Sequence, residues 1–211
     1  MARVIFKDWF VDFGPTRAKQ EGRSAYLPEH LWSLFPEAID DETGLPIGWR
    51  VGMFEDLASA KQGRYLSKDK ISAISTSDFP CPVWGGNGVL GFSKTYIYKE
   101  RMILITCRGS NCGLIRKTSS ESWVSNNSFA VKPNFGSYFF LYIYFLFEDF
   151  SSCISGSAQP QITYAALKAK IMAYPFPKKL VDLYSNLLEP ASLKMEQNDD
   201  ESWTLAELRD R

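Results

Sequence analysis

The sequence predicts an α+β fold: a strand-rich globular region flanked by helical segments, the C-terminal one long and coiled-coil-like. Three observations predict it. Short apolar or alternating stretches, separated by Gly, Ser and Asn, recur between Trp49 and Pro177: "WRVGMFEDLA", "TYIY", "RMILITC", "CGLIRK" and "SFAVKP". Near the N-terminus Ile5, Trp9, Phe10 and Phe13 fall on one helical face. After Pro190, the residues Ala191, Met195, Asn198, Ser202 and Leu205 are spaced four, three, four and three, which is a heptad seam.

Taken in order, residues 2–13 are expected to form a helix that Gly14–Pro15 stops. Residues 14–48 are expected to be mostly loop and short turns, with "LPEHLWSLFP" as a brief amphipathic piece. "DDETGLPIG", Asp40–Gly48, is acidic and then rich in Gly and Pro, the composition of a linker. It separates an N-terminal segment, 1–48, from the strand-rich region, 49–177.

Within that region "PVWGGNGVLG", Pro82–Gly91, contains G-x-G-x-x-G at Gly86, Gly88 and Gly91. A dinucleotide loop needs a buried strand before it, a helix after it and an acid about 20 residues on. Pro80 and Pro82 each remove a ladder donor, which argues against a central parallel strand. "FSKTYIYKE" after it reads as strand, and no acid stands near Asn111. A glycine-rich turn between strands is the better reading.

"YFFLYIYFLF", Tyr138–Phe147, is the most apolar run; at ten residues it is half the ~20 a membrane span needs. Its aromatics lean to strand, although a buried helix has the same pattern at this length. "SGSAQPQIT" reads as loop, Thr163 as the hydroxyl cap of a short helix, and "AKIMAYPFP" as a strand ending in prolines. From Lys178 the pattern is helical, and Pro190 suits the first turn of a new helix. Two of the five seam positions are polar, so a surface helix with one apolar stripe fits as well.

The 211 residues fit one sizeable domain plus extensions. Lys plus Arg and Asp plus Glu both number 24, which excludes a polybasic, histone-like binder but not a local basic face. The N-terminus "MARVIFKDWF" lacks the apolar core of a signal peptide, so Cys81, Cys107, Cys112 and Cys153 are expected as free thiols in the cytoplasm. Cys107 and Cys112 have no second close pair, and His30 is the single histidine, expected as a surface residue; no metal site is expected. No H-E-x-x-H, phosphate-binding loop or G-x-S-x-G occurs. The chain therefore reads as a non-catalytic binding module.

The polar residues near the loops of the strand-rich region are the candidates: Lys61, Gln62, Arg64 and Lys68 in one segment, then Ser93, Lys94 and Tyr96, then Arg108, Asn111, Arg116 and Lys117, and Gln159. Arg and Lys fix phosphates, Arg reads guanine edges, and Asn and Gln read adenine. Most such residues in any protein only solvate its surface.

Several stretches of the chain are similar to a known family. "ARVIFKDWFVDFGPTRAKQEGR" and "LWSLFPEAIDDETGLPIGWRV", then "PVWGGNGVLG", "WVSNNSFAVKP" and "SGSAQPQIT", then "LEPASLKMEQNDDESWTLAELRDR", resemble in order and spacing a type I restriction–modification specificity subunit. The resemblance is to half of one, with a single target recognition domain (49–177) and the conserved helical region after it (178–211). It implies binding to one half of a split site in double-stranded DNA, and docking to methyltransferase subunits, with motor–nuclease subunits added for cleavage. It implies no active site here; S-adenosylmethionine, ATP and Mg are expected only on the partners. The competing reading is a truncated adaptor that holds the methyltransferase without useful DNA affinity. Because the resemblance supplies one helix of a pair, two copies are expected to pair antiparallel through the seam.

Overall fold

The structure is a computed structural model; it describes the fold of residues 1–209 and the side chains of residues 1–194. Helix α1 (Ala2–Phe6) runs into a π-helical turn, Lys7–Val11. Phe13, at a left-handed φ of 55°, precedes α2 (Gly14–Gln20). Gly14–Pro15 thus opens a helix within the stretch expected to be loop, because a first turn does not use the donor that Pro15 lacks. Helix α3 (Glu29–Trp32) matches the brief amphipathic piece.

The strand-rich region follows with β1 (Arg50–Met53), α4 (Phe54–Leu57), β2 (Ala58–Gln62), β3 (Cys81–Gly85) and β4 (Gly88–Ser93). Next come β5 (Ile103–Thr106), β6 (Ile115–Lys117), β7 (Trp123–Val124) and β8 (Ser128–Pro133). After them stand α5 (Tyr138–Phe147), β9 (Ile154–Ser155), β10 (Gln161–Ile162), α6 (Tyr164–Lys168), β11 (Ile171–Tyr174) and α7 (Lys179–Arg209).

Two compact units result. One joins Met1–Arg50 to Ala173–Arg211; the other is Val51–Met172. In the first, Phe6, Trp9, Phe10, Phe35 and Tyr184 are buried together as an aromatic core. Trp9 meets Phe35 edge-on at 5.1 Å, and Phe10 meets Tyr184 edge-on at 5.4 Å. Pro190 lies inside α7 rather than at the start of a new helix. The helix already begins at Lys179, eleven residues before it. The seam positions Met195, Asn198, Ser202 and Leu205 lie outside the described side chains; Ala191 is exposed.

The second unit is α+β in layers. Its four-stranded sheet has the order β2-β8-β5-β6, all antiparallel, and its three-stranded sheet the order β4-β3-β7. Met102, Leu104 and Ala130 on one face of the first sheet pack with Val124 and Trp84 of the second. Helix α5 packs on β6 and β8.

The run Tyr138–Phe147 is that helix, not a strand. Ser137 Oγ accepts the Phe140 N–H at 3.1 Å and starts it. Phe139, Phe140, Leu141, Ile143, Tyr144 and Phe145 are all buried, so no polar stripe marks the helical period. Among the described residues no helix is long and apolar enough to cross a membrane. "TYIY" is not a strand either; Tyr98 makes only an isolated bridge to Ser122.

Pro82 sits in the middle strand of three, against expectation. It is tolerated because β7 pairs only with Val83 and Trp84, and because the Phe92 opposite it exchanges its backbone bonds with Ser72 instead.

Candidate nucleic-acid interface

The glycine-rich stretch is a β-hairpin. Gly85 pairs with Gly88, and Gly86–Asn87 form its two-residue turn. Strand β4 follows, so no helix N-terminus is present to receive a phosphate. Gly91 has φ +148°, and a Cβ there would fall on the Ser72 carbonyl oxygen. The hairpin tip docks on the end of β5, where Thr106 Oγ1 donates to the Gly86 carbonyl at 2.9 Å. Asn111 Nδ2 donates to Asn87 Oδ1 and ties the tip to the next loop.

Register decides what meets at this end of the four-stranded sheet. Gln62 lies opposite Phe129, Thr106 opposite Ser128, and Ile105 opposite Ile115. Three connections therefore leave from one end: the chain after Gln62, the loop Cys107–Leu114 and the turn Ser125–Asn127.

Backbone bonds staple them together. Cys107 N–H donates to the Asn127 carbonyl at 2.8 Å, Ile162 N–H to the Cys107 carbonyl at 3.0 Å, and Gly109 N–H to the Pro160 carbonyl at 3.0 Å. Gln62 Nε2 donates to the Asn126 carbonyl at 2.8 Å. A cleft of about 450 Å³ opens there, lined by Arg108, Gly109, Asn127, Gln159, Pro160 and Gln161.

Of the candidate residues, Gln62, Arg108, Asn111 and Gln159 are thus brought to one place. Gln62 and Asn111 spend their amides on the scaffold, whereas Arg108 and Gln159 line the cleft. Lys61 is exposed on β2, and Arg64 is exposed just beyond it. Lys68 is exposed on a short 3-10 turn. Lys94 lies over the Phe79 ring at 5.1 Å, and Tyr96 is exposed beyond the far end of β4 from the hairpin tip. Arg116 and Lys117 are half-buried on β6, with Lys117 over the Tyr142 ring of α5 at 5.5 Å.

Ser93 differs from the other candidates in its surroundings. It is buried, and its single hydroxyl proton goes to the Thr95 carbonyl at 2.6 Å, with the Cys81 carbonyl 3.3 Å away, so its donor is spent inside the fold. Asn87 and Asn127 on turns, and Gln161 at the start of β10, also stand at this end of the sheet. None carries a local motif, and the place of each depends on pairing across the fold.

Charge is distributed unevenly. Residues 51–172 hold 13 Lys and Arg against 8 Asp and Glu, a net of +5; the rest of the chain holds 11 against 16, a net of −5. The zero total therefore conceals a basic unit. Three of its acids pair with lysines away from the cleft, as Glu100–Lys132, Glu55–Lys168 and Glu148–Lys170, and among the described residues no carboxylate lines the cleft.

Beneath the cleft Cys107 is buried, and desolvation pushes its thiol up to about 11, despite an opposing pull from Arg108. All four cysteines are free. Among the described residues no group of three or more His, Cys, Asp or Glu is placed to hold a metal.

A family model described as type I restriction modification DNA specificity domain matches residues 46–179. A crystal structure of a type I restriction–modification system S subunit from M. genitalium aligns with 72% of this chain at TM-score 0.58 and 16% identity. A structure from work on complex assembly and conformational transition of the type I R-M system aligns with 98% of it at TM-score 0.53 and 15% identity. This chain covers 40% and 53% of those two chains, about half their length. A search of curated protein sequences gave no match.

Proposed function

Because this chain belongs to the family of type I restriction–modification DNA specificity domains, we propose that residues 49–177 recognise one half of a split site in duplex DNA. The observation that carries the reading is the net charge of +5 on residues 51–172 within a neutral chain. A duplex carries one negative charge per ~1.7 Å of axis, and a basic unit with few competing carboxylates gains from releasing its counterions.

The role is recognition without chemistry. The helical region 178–211 docks methyltransferase subunits, and methylation and cleavage belong to partners that carry S-adenosylmethionine, ATP and Mg. Two copies pairing through α7 supply the second half-site reader.

The test is fluorescence anisotropy of the chain with labelled duplex over a salt series. Affinity that falls steeply with salt supports the reading. No binding at low salt, with the methyltransferase subunits present, overturns it in favour of an adaptor.

A further inference from the structure

Arg108, Asn127 and Gln159 come from three separate loops and Gln161 from the start of β10, yet all four share one cleft. All four are exposed, and within the described chain none of their side-chain heads makes a hydrogen bond or an ion pair. The backbone that carries them is the opposite: Arg108 bridges to Gln161, and Cys107, Gly109 and Ile162 are each fixed to a neighbouring loop by backbone bonds of 2.8–3.0 Å. Neighbouring amides that lie off the cleft are spent on holding the loops, as Gln62 does at Asn126 and Asn111 at Asn87.

We infer that this cleft reads base edges, and that Arg108, Asn127, Gln159 and Gln161 select purines in the major groove. The inference rests on the DNA recognition proposed above and adds which residues discriminate and for what chemistry. A guanidinium is a bidentate donor matched to the O6 and N7 of guanine. A carboxamide carries a donor and an acceptor side by side, matched to the N7 and N6 amino group of adenine.

A site for phosphates alone would be built from cations, and this one holds three amides for one cation. Rigid loops with uncommitted heads also suit reading, because fewer degrees of freedom are lost when the contacts form. Lys61 and Arg64, exposed on and just beyond β2, are cations of the kind that suits phosphates instead.

The experiment selects binders from a duplex library with a randomised core, using the full chain, and reads the enriched sequences. It is repeated for Arg108→Ala, Asn127→Ala, Gln161→Ala and, as comparator, Lys61→Ala. Wild type should enrich a short motif containing purines. Each cleft variant should lose its preference at one or two positions, with discrimination there falling roughly 5- to 150-fold, while other positions stay selected. Lys61→Ala should keep the motif and bind all sequences more weakly.

An unchanged motif in every cleft variant, or uniform weakening without relaxed preference, overturns this inference and leaves DNA recognition standing. Failure of wild type to bind or enrich any duplex overturns both. Circular dichroism on each variant separates loss of reading from loss of fold, and Arg108→Lys, which keeps the charge but loses the planar fork, should still relax the preference.

Discussion

Thr106 Oγ1 donates to the Gly86 carbonyl oxygen at 2.9 Å, and this bond holds the glycine hairpin against the end of the four-stranded sheet. Thr106 is buried, and a Cβ on Gly86 would approach its methyl carbon to 2.9 Å. Thr106→Val keeps the shape and deletes the donor, so it should cost about 1–3 kcal/mol in urea denaturation. Thr106→Ser should recover most of the loss.

Ser137 caps α5 through the Phe140 N–H. Ser137→Ala should lower stability by about 1 kcal/mol, read from the urea midpoint at unchanged slope. The helix should persist, because its buried aromatic faces rather than its cap hold it in place.

Tyr184 ties the beginning of α7 to α1. Its hydroxyl donates to the Ala2 carbonyl at 2.9 Å, and its ring packs edge-on against Phe6 at 5.5 Å. Tyr184→Phe should cost about 1 kcal/mol, the hydrogen bond alone, and Tyr184→Ala about 3–5 kcal/mol, since an aromatic volume is lost from the core.

Burial raises the Cys107 thiol from about 9 to about 11. The folded state therefore keeps its proton where the unfolded state releases it. Stability from this group is complete below pH 9 and is lost as pH rises from about 9 to about 11. The unfolding free energy from urea denaturation across that window should fall, and the fall should be shallower in Cys107→Ala by up to ~1.4 kcal/mol per pH unit.

Lys61 and Arg64 are exposed and are read as phosphate contacts. Lys61→Ala and Arg64→Ala should each weaken binding to every duplex alike and reduce the salt slope by about 1. Anisotropy on two unrelated duplexes checks this: a loss confined to one of them would assign the residue to base reading.

The sequence by itself determined the class and the order of the parts. Alternating short strands, a turn at Gly86–Asn87, a cap at Thr163 and helix from near Lys178 are local events, governed by residues within a few positions of one another. Thr163 Oγ1 does accept the Ala166 N–H, at 3.2 Å. Periodicity failed where locality does: Tyr138–Phe147 is apolar on all sides because it is buried on several, and Pro15 and Pro190 carry opposite meanings that depend on what precedes them. Only the tertiary structure decided which polar residues stand together. Arg108 and Gln159 are alike in sequence to Lys68 or Ser93 as polar loop or strand-end residues. Antiparallel register and the bridge between Arg108 and Gln161 bring Arg108 and Gln159 to one cleft, and the same packing buries Ser93. The backbone bond from Ile162 N–H to the Cys107 carbonyl joins residues 55 positions apart, and no short stretch of sequence encodes it.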